Sequence, residues 1–213
     1  MKLRERICLQ MGCILVLCFI SVGLYGEELT LFKGSYLSVN AFLGTQNVAL
    51  EMRFATDENM YYLFYQIAVT GTPVWIALTE NDLAIFRNNM KKFIEWEAIA
   101  RKENANISRE LPESAINEVN VIQGSGSQRA ESGNLSDLFF RFDTNTQATR
   151  MAGMPLLLIA SNQVTSRNTY NMVTIQVMIN LTSAQAQALL TEIEPANIKR
   201  NIEKAKSQSN LFH

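Results

Sequence analysis

The stretch Val74-Trp-Ile-Ala-Leu-Thr-Glu-Asn-Asp-Leu83 runs from an apolar strand directly into a helix. Its first five residues are continuously apolar and have strand length. Thr79 then offers a hydroxyl to the free amides of a first helical turn, and acidic residues follow where a helix favours negative charge. The stretch therefore predicts a strand that ends at Leu78 and a helix that Thr79 caps.

A second junction of this kind lies near the C-terminus, at Val177-Met-Ile-Asn-Leu-Thr-Ser-Ala-Gln-Ala186. Thr182 corresponds to Thr79, and Gln185 three residues later completes the pattern of a capping box. The match indicates an internal repeat. It is short, and the strands upstream do not align at the same offset, so chance similarity of two junctions is the alternative.

Each junction is followed by residues with helical periodicity. Apolar residues recur at spacings of three and four after Thr79, which predicts a helix from about residue 80 to 102. A shorter stripe after Thr182 ends at Pro195, which also suits the first turn of a separate last helix. The stripes consist of Leu83, Phe86, Met90, Phe93 and Ile94, then Leu189, Leu190 and Ile193, then Ile198 and Ile202.

Strand candidates precede each of the two junctions, with turn-forming residues between them. They are Tyr36–Leu43, Val48–Phe54, Tyr61–Val69 and Val74–Leu78, then Glu118–Ile122, Leu138–Phe142, Pro155–Ala160 and Met172–Asn180. Residues 103–112 are polar and predict a connection. The Gly/Ser-rich residues 123–134 predict an exposed loop, either a long hairpin loop or one with a function.

The order of strands followed by a helix, given twice, predicts an α+β fold. We expect two strand-rich halves, about 29–105 and 115–208, whose antiparallel sheets are packed by amphipathic helices. Both halves would belong to one domain over residues 27–213. At the level of topology this order resembles the plan of the PUR-alpha and Whirly proteins, and the resemblance implies binding of single-stranded nucleic acid. The chain carries neither family's sequence signature.

The first 26 residues have the outline of a secretory signal peptide. Lys2, Arg4 and Arg6 precede an apolar run over residues 7–24, and cleavage is predicted after Gly23 or Gly26. A retained membrane anchor is the alternative, since the run is near the lower length limit for crossing a bilayer. We therefore expect an exported protein, periplasmic or extracellular, of a bacterial envelope, with membrane contact only through a retained leader.

The exported part lacks the commonest catalytic and metal-binding side chains. All three cysteines, Cys8, Cys13 and Cys18, lie in the leader, and the only histidine is the final residue, His213. No nucleophile motif, phosphate loop or dinucleotide fingerprint is present. The sequence accordingly predicts no catalytic residues, no metal site and no cofactor.

The charge of the exported part gives no electrostatic case for nucleic acid. Removal of the leader takes away a net +2, so the formal charge of −1 for the whole chain becomes −3. Carboxylates are the remaining candidates for acid–base catalysis. Glu95 and Glu97 point to different sides of a helix, and Glu51, Asp137 and Asp143 are predicted to be solvated surface charges. Asp143-Thr-Asn-Thr-Gln147 is predicted to be a turn, because it lacks the glycine and glutamate of a calcium loop.

The densest aromatic cluster is Tyr61-Tyr-Leu-Phe-Tyr65. In a strand, Tyr61, Leu63 and Tyr65 face one way, and Tyr62 and Phe64 face the other, so both faces are apolar. A central strand covered on both sides explains this pattern. The functional alternative is an aromatic platform for a partner.

Trp96 lies beside the stripe of the first long helix and offers either a wider buried face or an interface anchor. Tyr62, Phe64 and Trp96 are therefore the candidate partner-binding residues.

The function predicted is an exported, non-enzymatic binding or structural module with an unknown protein or glycan partner. The alternatives are a carboxylate-dependent envelope hydrolase and a binder of single-stranded nucleic acid.

Overall fold

A computed structural model describes residues 28–40, 44–125, 128–129, 133–167 and 172–209. The strands are β1 (Glu28–Asn40), β2 (Gly44–Ala55), β3 (Met60–Gln66), β4 (Pro73–Leu78), β5 (Ser108–Ser125), β6 (Gln128–Arg129), β7 (Asn134–Asp143), β8 (Leu156–Ser161), β9 (Val164–Arg167), β10 (Met172–Ile175) and β11 (Met178–Leu181). The helices are α1 (Glu80–Glu103), α2 (Gln147–Ala152), α3 (Ser183–Glu192) and α4 (Pro195–Ser209).

Eight of these strands form a closed antiparallel barrel in the order β4-β3-β2-β1-β11-β8-β7-β5, and a pairing of β4 with β5 completes the circle. β6 extends the sheet from β5, and β9 pairs with β10 in a separate two-stranded sheet. Two seams join the strands before α1 to those after it. Val74 to Ala77 pair with Asn120 to Gln123 at one seam, and Leu37 pairs with Asn180 at the other.

The expected α+β fold of two strand-rich halves, each packed by its own helix, is therefore wrong. The strands before and after α1 do not form separate sheets, because both seams connect them into one barrel. Closure gives every barrel strand two hydrogen-bonded neighbours, so the architecture is mostly sheet with helices added. The internal repeat stays a prediction.

β5 is much longer than the strand predicted at Glu118–Ile122, and it includes the second half of the expected polar connection, residues 108–112. Its pairing with β7 shifts register between Glu110 and Ala115, so Pro112 lies where the ladder is interrupted. A second shift follows Ile116, where Glu118 has a φ of 56°. Such bulges bend a strand and increase its twist, which lets β5 follow the curved barrel wall.

Other predicted boundaries also move. Gly44 to Asn47, expected as a turn, begin β2, and residues 41–43 between β1 and β2 lie outside the described part. The single strand expected over Met172–Asn180 is two strands, β10 and β11, which belong to different sheets. Residues 1–27, with the proposed leader, and His213 also lie outside the described part.

The helical predictions are confirmed. Thr79 caps α1 and Thr182 caps α3, each with a complete capping box, and α4 begins at Pro195. The stripe of α1 joins the barrel core: the ring centroid of Phe86 lies 5.4 Å from that of Phe140, and the centroid of Phe93 lies 5.8 Å from that of Phe142. Among the described residues, no helix has the length and apolar character needed to cross a membrane.

Candidate functional site

Tyr62 and Phe64 lie on the face of β3 that points away from the main core. They are 5% and 6% exposed and pack with Trp75, Ala77 and Ile122 in a small second cluster, the outer aromatic cluster. Tyr61, Leu63 and Tyr65 belong to the main core instead. The prediction that both faces of this strand are covered is confirmed.

Arg53 covers part of the outer aromatic cluster. Its guanidinium carbon lies 4.7 Å from the ring centroid of Trp75 and 5.4 Å from that of Phe64. Carboxylates hold the guanidinium there, with Nη2 2.8 Å from Glu51 and Nη1 3.4 Å from Glu28. Cation–π contacts of this kind stabilise the stacked pair. The rings thus pack as a buried cluster in this structure, and a partner-binding role for Tyr62 and Phe64 stays a prediction.

Trp96 lies elsewhere, on α1, partly buried against the main core. Its ring makes an edge contact with Phe142 at 5.9 Å, and the guanidinium of Arg109 lies 5.8 Å from its centroid. Ile99, one turn further along the helix, is 52% exposed. The three predicted residues therefore do not form one site, since Trp96 packs with the main core and the other two with the outer aromatic cluster.

A groove of about 360 Å³ lies beside the start of β3, the first turn of α1 and one face of α4. We name it the mouth groove. Its volume is in the range of small-molecule sites. Its lining combines an apolar wall with charged groups, and consists of Tyr61, Glu80, Pro195, Ile198, Lys199, Ile202 and Glu203.

A chain of hydrogen bonds fixes the β3 and α1 side of the mouth groove. The Tyr61 hydroxyl donates to Oε2 of Glu80 at 2.7 Å, and Nη2 of Arg87 donates to Oε1 of the same carboxylate at 3.1 Å. Nη1 of Arg87 donates to the carbonyl of Ile193 at 3.2 Å. Because the register places Tyr61 opposite Leu78, the strand pairing itself brings the phenol to the start of α1.

Burial raises the pKa of Tyr61 well above its usual value, and the hydrogen bond to Glu80 adds to this effect. The phenol therefore stays protonated at neutral pH and remains a donor to Glu80. Glu80 thus has a partner on each oxygen. Its charge is balanced by Arg87, and the pair forms a fixed polar wall.

The α4 side of the groove has two charged side chains, Lys199 and Glu203. Lys199 and Glu203 are exposed, and among the described residues neither side chain has a salt bridge or hydrogen bond. They are one helical turn apart and lie beside the apolar row of Ile198 and Ile202 in the lining. The cations along α1 are instead paired, as Arg87 with Glu80, Lys91 with Glu194, Lys92 with Glu95, Arg101 with Glu97 and Lys102 with Glu103.

Two of the carboxylates weighed from the sequence are buried. Asp143 is 1% exposed, so its prediction as a surface charge is wrong; its Oδ1 accepts from the amides of Asn145 and Thr146, as the predicted turn requires. Glu97 is also buried and pairs with Arg101 at 2.5 Å. Within the described residues, no group of three or more His, Cys, Asp or Glu is placed to hold a metal ion.

The mouth groove was not predicted from the sequence, although several of its residues carried a local signal; Lys199 and Glu203 carried none. Tyr61 belongs to the aromatic strand, Glu80 to the first turn of α1, and Ile198 and Ile202 to the last apolar stripe. More than a hundred residues separate Tyr61 from Ile198, and nothing in the local pattern brings β3 and α4 together.

Comparison with family models, curated proteins and solved structures found no match to this chain.

Proposed function

We propose that this chain is an exported, non-enzymatic binding module of the cell envelope and that its ligand site is the mouth groove. The observation that carries the proposal is the lining of the groove: an apolar wall with two charged side chains, Lys199 and Glu203, that have no partner among the described residues. Apolar walls with a few convergent polar groups are typical of ligand sites. Export is proposed from the basic and apolar character of the first 26 residues.

The test is native mass spectrometry of the exported form purified from the envelope fraction of its own cell. Wild type is expected to carry a small-molecule adduct. Ile202→Trp, which fills the groove from its partly buried wall, should lose the adduct, whereas Arg200→Trp should keep it, because Arg200 is an exposed neighbour on α4 outside the groove lining. No adduct on wild type, or equal adducts on wild type and Ile202→Trp, contradicts the proposal.

A carboxylate-dependent hydrolase is the second candidate, favoured by the presence of two carboxylates, Glu80 and Glu203, in one groove. Glu80 is held by Tyr61 and Arg87, so Glu203 is the carboxylate of the two that is free to act as an acid or base. If the chain is a hydrolase, turnover of envelope material by the purified protein falls in Glu203→Gln. Binding without turnover supports the first proposal.

A nucleic-acid function has less support. The cations along α1 are neutralised by neighbouring carboxylates, and the exported chain is acidic overall. Phosphate backbones are bound by unpaired basic surfaces, and that binding weakens steeply with salt. We therefore place the ligand among small molecules.

A further inference from the structure

The charges of the mouth groove occur as two separate balanced sets. On the wall formed by β3 and α1, Glu80 is neutralised by Arg87 and satisfied by the Tyr61 hydroxyl. On α4, one cation and one anion, Lys199 and Glu203, face the groove without partners among the described residues. Counted with Arg87, which pairs with Glu80 from outside the lining, the charges balance. Lys199 and Glu203, one of each sign on the same helix, are the pair that has no partner among the described residues.

This arrangement disfavours ligands with a net charge. An anion would be attracted to Lys199 but would meet the carboxylate of Glu203 one turn away. A cation would meet the opposite conflict. A wholly apolar ligand would leave both charged groups desolvated without compensation, which is costly.

We infer that the mouth groove binds a small zwitterion with an apolar side chain, that is, a free aliphatic amino acid. The ligand carboxylate would pair with Lys199 and the ligand ammonium with Glu203. The apolar side chain would lie on Ile198 and Ile202, which form the apolar row beside these two charges in the same lining. This inference rests on the proposed function, since it names the ligand class of the same groove.

The test uses leucine and two analogues that each lack one charge, isoamylamine and 4-methylpentanoate, with binding measured by calorimetry on the full exported chain. Leucine is expected to bind wild type, and each analogue should bind at least about tenfold more weakly, since each loses one charge-assisted contact. Lys199→Met should remove the advantage of leucine over isoamylamine. Glu203→Gln should remove its advantage over 4-methylpentanoate.

Both substituted residues are exposed on α4, so these variants should fold, and their thermal midpoints serve as the control. An analogue that binds wild type as tightly as leucine overturns the inference. If leucine fails to bind while Ile202→Trp still removes the native adduct, the groove is a ligand site but its ligand is not an aliphatic zwitterion. If leucine fails and no adduct depends on Ile202, both proposals fall.

Discussion

Substitution of Phe64 tests whether the outer aromatic cluster stabilises the fold or binds a partner. Its ring lies 4.5 Å from that of Trp75 and beneath the guanidinium of Arg53, and only 6% of the residue is exposed. Phe64→Ala removes a buried ring and its contacts, so it should lower the free energy of unfolding by about 3–5 kcal/mol. Urea denaturation followed by circular dichroism measures this loss.

A matched control is Tyr62→Phe, which keeps the neighbouring ring and removes only its hydroxyl. It should cost about 1 kcal/mol, because the hydrogen bond from the Tyr62 hydroxyl to Glu58 is lost. If Phe64→Ala leaves stability unchanged and abolishes capture of a partner instead, the cluster is a binding platform and the account of it as packing is wrong.

Tyr61 gives the molecule a dependence on alkaline pH. Burial raises its pKa in the folded state above the usual value, and Tyr36 and Tyr65 shift in the same direction for the same main reason. The folded state therefore holds the phenol protons more tightly than the unfolded chain. The stability that these tyrosines contribute is fully present below their pKa in the unfolded chain, about 10. It is lost as the pH rises toward their higher pKa values in the folded state.

We expect the free energy of unfolding to fall between pH 10 and about 12, and to fall less steeply in Tyr61→Phe, which removes one of the three shifted groups. Phenolate absorbance measured alongside denaturant melts checks both points. Identical pH slopes for wild type and Tyr61→Phe would show that Tyr61 is not held protonated by the fold.

Residue-level predictions succeeded where side-chain alternation alone decides the outcome. The two apolar faces of Tyr61 to Tyr65 followed from the twofold period of a strand, and the structure buries both. The prediction of Asp143 as a surface charge failed because its burial depends on strand pairing with residues that are distant in sequence. Its partner across the ladder is Ser108, in a segment expected to be a polar connection.

At the scale of elements, the two capping boxes are the clearest local signals. The Thr79 hydroxyl accepts from the amide of Asp82, whose carboxylate accepts from the Thr79 amide at 2.8 Å. Thr182 and Gln185 repeat this exchange at the start of α3. Thr79→Ala and Thr182→Ala should each cost about 1 kcal/mol of unfolding free energy, because each leaves a helical amide without its acceptor.

Serine in place of either threonine keeps the capping oxygen, so Thr79→Ser and Thr182→Ser should recover most of the loss in the same denaturant melts. Equal losses for alanine and serine would mean that the methyl group, rather than the cap, carries the effect.

Three of the described helices, α1, α3 and α4, were predictable because their caps, stripes and stop signals are local. The short α2 was not predicted. β5 was not, because Pro112 and the surrounding polar residues are usual marks of a connection. The structure accommodates them by shifting register between Glu110 and Ala115 and again after Ile116, where Glu118 adopts a left-handed conformation. Only the pairing with β7 reveals that the segment is a strand.

At the scale of the whole molecule, barrel closure depends on two seams between residues far apart in sequence. Val74 to Ala77 meet Asn120 to Gln123, and Leu37 meets Asn180, whose side-chain amide also donates to the Leu37 carbonyl at 3.2 Å. Periodicity predicts a strand and its faces but does not name its neighbour. The prediction of two helix-packed halves was therefore wrong, because it did not include the pairings that close the barrel. The mouth groove could not be predicted either, since it forms only when α4 packs beside the assembled barrel.

The central claim is that the mouth groove, rather than the outer aromatic cluster or Trp96, is where this chain binds. Hydrogen exchange tests it directly, on the chain purified from its own cell and on the same sample after exhaustive dialysis. We predict that dialysis raises exchange at the first turn of α1 and along α4, since a ligand in the groove contacts both. A rise confined to β3 and β4 or to the region of Trp96, or no rise anywhere, contradicts the claim.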